Sequence, residues 1–400
     1  MTCFLRLRPA RGPFSRLLKF YRTRKLHSTY PDFYRRGRKF LDSRRGVGIV
    51  IAMKRKTIVS MEGLSFFING QPTYSGRWYK GFKIEGLLFN ARMVQGIFDD
   101  LNPQTRSRWN YPDGPWDPNR NTEEFVTAMS GWRAAGLLSF TINLQGGSPE
   151  GYSRHQPWHN SAFEADGRLR EDYMARLEKI LDRADELGMA PIVGFFYFGQ
   201  DWRLKDERAV IRAVENAADW VLEKGYTHVL IEIGNEVDLD YYRHEIIRAP
   251  RCHELIEAVK VRSIGKINAP AGRLLVSTST RGGALPPDNL VAVADFLLLH
   301  GNHVSEPAQI RQMVDQCRQL PGYRGQPILF NEDDHFNFDT EDNHLLAAIS
   351  RYASWGYFDY RFPGEGYREG FQSVPVDWTI GSDRKRGFFD LLAKVTGSGP

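Results

Sequence analysis

Residues 230–236 read Leu-Ile-Glu-Ile-Gly-Asn-Glu, and residues 328–332 read Ile-Leu-Phe-Asn-Glu. Each stretch is an apolar run of strand length that stops on an Asn-Glu pair. A strand that ends in this way places a titratable group at the mouth of a sheet or barrel. Two such carboxylates, Glu236 and Glu332, could converge on one bond of a substrate, one as nucleophile and one as acid and base.

The chain around these two runs alternates between strand-like and helix-like segments. Apolar residues fall on one helical face in three of the helix candidates, at 172–187, 207–223 and 307–320. The other helix candidates are 121–135, 252–264, 343–355 and 383–396, and the strand candidates are 84–89, 137–143, 189–198, 228–234, 273–279, 295–300, 327–331 and 357–361. Eight strands, mostly followed by helices, are typical of an α/β protein with a (β/α)₈ TIM barrel.

The separation of the two glutamates favours this barrel over an open doubly-wound sheet. Glu236 and Glu332 are 96 residues apart and would follow the fourth and seventh strands, which gives three units of 32 residues. A barrel of about 250 residues averages roughly 31 residues per unit. A β-hairpin over 64–75, with Asn69-Gly70 as its turn, precedes the barrel and is expected to plug or flank its lower end.

The amino-terminal segment differs sharply in charge from the rest of the chain. Residues 1–56 hold 17 Lys/Arg and 2 acidic residues, whereas the remaining 344 residues hold 37 basic and 46 acidic ones. The domain prediction is therefore a basic, disordered tail over 1–56 and a catalytic domain over 57–400. Because the body of the protein is mildly acidic, the overall net charge of +6 does not indicate nucleic-acid binding.

Three interpretations of residues 1–56 stay open: a disordered tail, an unusual targeting segment, or an upstream start with Met53 as the true first residue. The apolar run 47–53 is too short to span a membrane and lacks the flanks of a secretory signal. The expectation is a cytoplasmic protein by default. Ser43-Arg44-Arg45 only weakly resembles a twin-arginine signal.

The residues at the predicted strand ends are carboxylates, amides, imidazoles and rings. Amides and carboxylates hydrogen-bond hydroxyl groups, and flat rings stack on the apolar faces of sugars, so this set would hold a polyhydroxylated ligand. The candidate catalytic residues are Glu236 and Glu332, and the candidate substrate-binding residues are Arg92, Asn143, Gln145, Tyr197, Asn235, His300, His303 and Trp378.

The sequence resembles the superfamily of retaining glycoside hydrolases with a (β/α)₈ barrel, called clan A, which includes cellulases, mannanases and β-galactosidases. The resemblance lies in the Asn-Glu that ends the fourth strand, the Glu that ends the seventh, and the His that ends the sixth at His300. It covers roughly residues 64–397 in the order of elements. Two features depart from the family: an acidic run, Asp333-Asp334-His335, follows Glu332, and an aromatic residue ending strand eight is not obvious.

The resemblance implies a double-displacement mechanism. Glu332 would attack the anomeric carbon, and Glu236 would protonate the leaving oxygen and then activate water. Asn235 would bind the 2-hydroxyl of the sugar. Glu236 would need a raised pKa, to which the nearby charge of Glu332 is expected to contribute.

Two other classes of function stay open. His300 and His303, with Glu236 and the run 333–335, could instead bind a divalent ion in a metal-dependent hydrolase or isomerase. The barrel could also bind glycans without cleaving them. The three cysteines, Cys3, Cys252 and Cys317, form no CxxC motif, and the prediction is that no metal or cofactor is used; the oligomeric state is left open.

Overall fold

A β-hairpin leads into the barrel strands in the computed structural model, which describes residues 55–153 and 155–399. The strands are β1 Val59–Glu62, β2 Ser65–Ile68, β3 Gln71–Pro72, β4 Trp78–Tyr79, β5 Phe82–Lys83, β6 Asn90–Ala91, β7 Thr141–Asn143, β8 Ile192–Phe196, β9 Leu230–Gly234, β10 Leu275–Ser277, β11 Leu297–His300, β12 Ile328–Glu332 and β13 Gly356–Tyr357. The helices are α1 Pro118–Ala134, α2 Glu171–Leu187, α3 Glu207–Glu223, α4 Cys252–Ser263, α5 Asp288–Val293, α6 Pro307–Cys317, α7 His344–Ser350 and α8 Asp383–Thr396. Short 3₁₀ turns lie at Arg106–Trp109, Asp201–Arg203 and Glu245–Ile247.

The strands from β6 to β13 are parallel and follow one another in barrel order. Strands β7, β8, β9 and β10 form one sheet, β11 pairs with β12, and β13 pairs with β6. Single parallel bridges join these groups, and they pair Arg92 with Thr141, Ser279 with Leu298, and Leu329 with Ser354. The ladders are not continuous at these bridges, so the pairing establishes an α/β fold whose parallel strands are ordered as in a (β/α)₈ barrel.

The predicted hairpin is present and covers the amino-terminal end of the parallel strands. Strands β2 and β3 pair around Asn69 and Gly70, whose φ angles of 54° and 75° fit the predicted type I′ turn, and β1 adds a third antiparallel strand. Phe66 is fully buried in a cluster with Leu230 and Leu329, which lie at the start of their strands. The hairpin therefore packs against the end of the parallel strands opposite to Glu332.

The first barrel strand lies further along the chain than the sequence predicts. Residues 84–89 form a turn and a connector, because Gly86 has a φ of 88° and its carbonyl accepts a hydrogen bond from the hairpin at Phe66. The strand is instead β6, and Arg92 pairs directly beyond it with Thr141. This shift moves Arg92 from the predicted loop into the end of the barrel.

The helices agree with the apolar periodicity in most of their length, except that α7 ends at Ser350, five residues before the predicted end at 355. The apolar stripe of α2 is buried, and the helix ends at Gly188, which has a φ of 67°. The start of α1 differs from the predicted 121–135, because Asp117 caps the helix and Pro118 is its first residue. The fifth helix, which the sequence did not define, has six residues.

Residues 1–54 of the predicted basic tail lie outside the described residues. Arg55 and Lys56, the last two residues of that predicted tail, contact helix α2. Arg55 forms an ion pair with Asp182 at 2.5 Å, and the backbone N–H of Lys56 donates to Asp185. Within the described ranges, every helix falls short of the length and apolarity that crossing a membrane requires.

Candidate active site

Glu236 and Glu332 stand at the carboxyl-terminal end of the parallel strands. Glu332 is the last residue of β12, and Glu236 follows β9 by two residues. One carboxylate oxygen of each and one ring nitrogen of His300 lie within 4.8 Å of one another. Glu236 also has a φ of 52°, a left-handed conformation that few non-glycine residues adopt and that concentrates at functional sites.

His300 lies between the two carboxylates. Its Nδ1 is 3.1 Å from Glu236 Oε1 and 3.6 Å from Glu332 Oε2, and its side chain is fully buried. Burial lowers the pKa of His300, although the charge of Glu332 opposes the shift. A neutral imidazole is therefore placed where it can exchange a hydrogen bond with the carboxyl group of Glu236.

Arg92 is part of the support of Glu332. Its Nε lies 2.8 Å from Glu332 Oε2, its Nη2 donates to Asn235 Oδ1 at 2.8 Å, and only 1% of the residue is exposed. The sequence predicted that Arg92 binds substrate directly, but its side chain is buried and does not line the pocket described below. Its position fits a residue that holds Glu332 and Asn235 in place.

The two Asn-Glu pairs differ in what their asparagines contact. Asn235 accepts its hydrogen bond from Arg92 beside the candidate site. Asn331 is fully buried among the parallel strands, where its side chain donates to Glu232 at 3.4 Å. The side chain of Asn235 therefore contacts a residue of the candidate site, whereas the side chain of Asn331 contacts Glu232 instead.

The environment of Glu236 favours its protonated form. Its pKa is raised to about 7, mainly by burial and in smaller part by the charge of Asp238, whereas Arg92 and His303 act in the opposite direction. Burial, rather than the expected charge of Glu332, is the main cause. A carboxyl group that holds its proton near neutral pH has the property that a general acid requires.

Glu332 lies in a different electrostatic environment. Burial holds the pKa of Glu332 above its usual value, and the adjacent charge of Arg92 and the contact with His300 limit that rise. Burial by itself would lower the pKa of the Arg92 guanidinium. The negative charges of Glu332 and Glu232 outweigh burial, so this pKa is raised overall. Arg92 therefore stays cationic and supplies the counter-charge that favours an ionised Glu332.

A pocket of about 340 Å³ opens above these groups. Glu236 and Glu332 both line it. Its aromatic wall consists of Tyr152, Tyr197, Phe198, Tyr241 and Phe358, and its other polar contacts come from Ser148, Ser153, Arg281, His303 and Gln372. Rings combined with a few polar groups around two carboxylates are the surface expected for a ligand that carries hydroxyl groups.

The predicted binding residues divide into those that line the pocket and those that do not. Tyr197 and His303 line it, whereas Asn235 and His300 are not among its lining residues. Gln145 is fully buried and donates to Ser161 Oγ at 3.1 Å, so it braces its own loop. Asn143 is 2% exposed, packs against Gly194 and does not line the pocket.

Trp378 does not lie in this pocket, contrary to the sequence prediction. The residue is 1% exposed, and its Nε1 donates to Asn121 Oδ1 of helix α1 at 3.0 Å. Its ring stacks on Phe371 and contacts Phe125 edge-on. Trp378 is therefore a core residue that fixes the carboxyl-terminal loop against α1.

The acidic run after Glu332 has two separate structural roles. Asp333 is fully buried and accepts hydrogen bonds from Trp355 Nε1 at 2.8 Å, His335 Nδ1 at 2.7 Å and His344 Nδ1 at 2.8 Å. Burial raises the pKa of Asp333, but the two histidines outweigh it and hold that pKa below its usual value. Asp334 accepts a hydrogen bond from Tyr152 through Oδ2, and its Oδ1 lies 3.6 Å from His335 Nδ1.

Asp333, His335 and His344 are close enough to be considered as a metal site. The rings of the two histidines stack with centroids 3.9 Å apart and planes 27° apart. Because the lone pair of an imidazole nitrogen lies in the plane of its ring, two stacked rings cannot both point at one ion. The cluster is built as a hydrogen-bonded carboxylate, and this geometry argues against the metal hypothesis there.

Asn302 and Tyr152 are contacts of the site that the sequence did not single out as binding residues. Asn302 donates to Glu332 Oε1 at 2.9 Å and is fully buried, and Tyr152 is hydrogen-bonded to Asn302. The position of Asn302, two residues after His300, was a usable signal. Tyr152 lies in the long loop between β7 and α2, where no spacing rule predicts which residue turns inward.

Solved glycoside hydrolase structures match this chain over most of its length. The endo-1,4-β-mannanase from Rhizomucor miehei is 11% identical and aligns over 86% of this chain and 100% of that one, with a TM-score of 0.54. The GH5-4 broad specificity endoglucanase from Clostridium longisporum is 11% identical over 78% of this chain and 95% of that one, with a TM-score of 0.51. This chain shares their fold. The predicted resemblance to glycoside hydrolases is therefore confirmed for the fold.

Sequence comparison adds no closer relative. No family model matches this chain, and no curated protein matches it. The identity to the solved structures is too low to carry over activity or substrate, so these must be argued from the site itself.

Proposed function

We propose that this protein is a retaining glycoside hydrolase, with residues 57–400 forming a closed (β/α)₈ catalytic barrel. Glu332 is the nucleophile and Glu236 the acid and base. The observation that carries the proposal is the close approach of Glu236, Glu332 and His300, within 4.8 Å through one atom each, at the floor of a ring-lined pocket. Retaining enzymes hold their two carboxyl groups about 5–5.5 Å apart, whereas inverting enzymes need roughly 6.5–9.5 Å.

The two carboxyl groups have environments suited to different roles. In the first step, Glu332 attacks the anomeric carbon while Glu236, whose pKa is raised to about 7, gives its proton to the leaving oxygen. In the second step, Glu236 takes a proton from water, which displaces Glu332 from the sugar. Arg92 stabilises the ionised nucleophile in the first step and as it departs in the second.

The remaining groups bind the sugar. Asn235, which Arg92 orients, is proposed to contact the 2-hydroxyl of the reacting ring. Tyr197 and His303 line the pocket and are positioned to contact other hydroxyls, and the exposed ring of Tyr241 offers a stacking surface. The proposed substrate class is a carbohydrate with an O-glycosidic bond.

Hydrolysis of aryl β-glycosides, followed for the wild type, Glu332→Ala and Glu236→Ala, tests this proposal. We expect Glu332→Ala to lose activity on every substrate. Glu236→Ala should retain more activity on substrates whose leaving group needs no proton, and added azide should restore part of its rate. Unchanged hydrolysis in both variants would show that the site is wrongly assigned, and glycan binding by an inactive wild type would favour a binding protein.

A further inference from the structure

Three hydrogen bonds connect Glu332 to Asp334 through Asn302 and Tyr152. Asn302 Nδ2 donates to Glu332 Oε1 at 2.9 Å and to the hydroxyl of Tyr152 at 3.2 Å. The hydroxyl of Tyr152 in turn donates to Asp334 Oδ2 at 2.8 Å. The chain therefore runs from the candidate nucleophile to the acidic residue that departs from the family pattern.

In this series of hydrogen bonds, the donor and acceptor of each one are determined by the hydrogen bond next to it. An ionised carboxylate only accepts, so the single proton of the Tyr152 hydroxyl is committed to Asp334. The hydroxyl then has only lone pairs to offer to Asn302, which selects the amino end of that side chain over its oxygen. The second N–H of the same amino group consequently points at Glu332.

The opposite orientation of the Asn302 amide would harm the site. It would place Oδ1 against the carboxylate of Glu332, where two acceptors repel each other. Space around Asn302 is also limited, because a Cβ on Gly282 would come 2.6 Å from its Oδ1 and 2.0 Å from its carbonyl oxygen. The amide thus has two orientations of similar shape, and the hydrogen bonds decide between them.

Resting on the glycosidase function proposed above, we infer that Tyr152 is a positioning residue for the nucleophile. Oriented by Asp334, its hydroxyl fixes the Asn302 amide in the orientation that donates to Glu332. Tyr152 comes from the loop between β7 and α2, and the same loop lines the pocket. The orientation of the nucleophile therefore depends on a residue of this loop. This role also gives Asp334 a function.

The surroundings of Tyr152 fit a fixed hydroxyl on a partly exposed ring. The residue is 48% exposed, yet its ring contacts His303 at 5.3 Å, Phe358 at 5.8 Å and Tyr360 at 4.9 Å between centroids. Burial of the hydroxyl end raises the pKa of Tyr152, and Asp334 raises it further, so the donor proton is retained. Tyr152→Phe keeps these ring contacts and removes only the hydroxyl.

The test measures Glu332 directly, without substrate. Protein labelled with ¹³C at the glutamate carboxyl carbons is titrated by NMR, and the Glu332 signal is assigned by its absence in Glu332→Gln. Tyr152→Phe should shift the pKa of Glu332 upward relative to the wild type, because the ionised form loses an oriented donor. The charges that also face Glu332, namely Arg92, His300, Glu236 and Asp334, are unchanged in this variant.

Kinetics supply a second readout. Tyr152→Phe should lower kcat by about tenfold with little change in KM, the size of one charge-assisted hydrogen bond that positions a reacting group. Tyr367→Phe is the matched control, because it removes a tyrosine hydroxyl that donates to the Val376 carbonyl outside the pocket. It should leave both the kcat and the Glu332 titration at wild-type values.

A double-mutant cycle tests whether Asp334 acts through Tyr152. Removing the charge of Asp334 lowers the pKa of Glu332 by itself. If Asp334 also orients Tyr152, the drop caused by Asp334→Ala will be smaller in the wild-type background than in Tyr152→Phe. If Asp334→Ala lowers the pKa of Glu332 equally in the two backgrounds, the claim that Asp334 orients Tyr152 is refuted.

The two proposals fail in different ways. If Tyr152→Phe leaves the Glu332 titration and kcat at wild-type values, the positioning role of Tyr152 is wrong while glycosidase activity stands. If the wild type hydrolyses no glycoside but Tyr152→Phe still shifts the Glu332 titration, Tyr152 does position Glu332 through Asn302 and the proposed function is wrong.

Discussion

Arg92→Met removes the buried cation on which the ionised form of Glu332 depends. Arg92 is 1% exposed, and its Nε lies 2.8 Å from a Glu332 oxygen that is itself almost completely buried. Opposite unit charges about 4 Å apart interact by roughly 4 kcal/mol at an effective dielectric constant of about 20. Removing one partner of a buried pair costs about 3–5 kcal/mol. We therefore expect a loss of about 3–4 kcal/mol in the free energy of unfolding at pH 8.

The loss caused by Arg92→Met should depend on pH. Burial already raises the pKa of Glu332, and without Arg92 it is raised further above its value in the unfolded chain. The folded variant then binds a proton more tightly than the unfolded chain does, so stability falls as the pH rises through the folded pKa. The difference from the wild type should therefore be smaller at pH 5 than at pH 8.

Urea unfolding followed by tryptophan fluorescence measures this difference at both pH values. The control introduces Arg92→Met into Glu332→Gln, where no carboxylate is left to protonate at that position. There the additional loss should be smaller and should vary little between pH 5 and pH 8. A loss below about 1 kcal/mol that is the same at both pH values would refute the ion-pair reasoning.

Three further predictions distinguish residues that act in the candidate site from residues that only stabilise the core. Because the pKa of Glu236 is raised to about 7, kcat/KM of the wild type should fall as the pH rises through 7, and an activity that rises instead would contradict its role as the acid. Trp378→Phe should lower stability by about 1–3 kcal/mol through a cavity and a lost bond to Asn121, with KM unchanged; a raised KM would return Trp378 to the binding site. Gly282→Ala would place a Cβ 2.0 Å from the Asn302 carbonyl oxygen and should reduce kcat, whereas wild-type kinetics would show that Asn302 tolerates displacement.

The sequence predicted the strand order and the positions of the two glutamates because both depend on local patterns. An apolar run fixes where a strand lies, and the parallel arrangement of the strands then brings the carboxyl-terminal ends of β9 and β12 to the same side of the fold. His300 ends β11 and is brought between the two glutamates for the same reason. These residues needed no knowledge of loop conformation.

Loop conformation and side-chain direction set the limit of the prediction. Trp378 was predicted to bind substrate from its residue type and its place in the loop after the eighth strand, but its hydrogen bond to Asn121 is a tertiary contact between residues 257 positions apart in sequence. Arg92 was placed beyond the first strand because residues 84–89 look like a strand, although Gly86 turns them against the hairpin. Tyr152 reaches Asn302 from another loop, and only the folded chain shows this contact.

The identity of the residue that becomes bonded to the sugar tests the central claim most directly. The protein is incubated with 2-deoxy-2-fluoro glycosyl fluorides of the β-gluco and β-manno series, digested, and its peptides are examined by mass spectrometry. The expected result is one glycosylated peptide with the modification on Glu332. A label on another residue, or an inverted product from a hydrolysed substrate with no label formed, would contradict the assignment of Glu332 as the nucleophile.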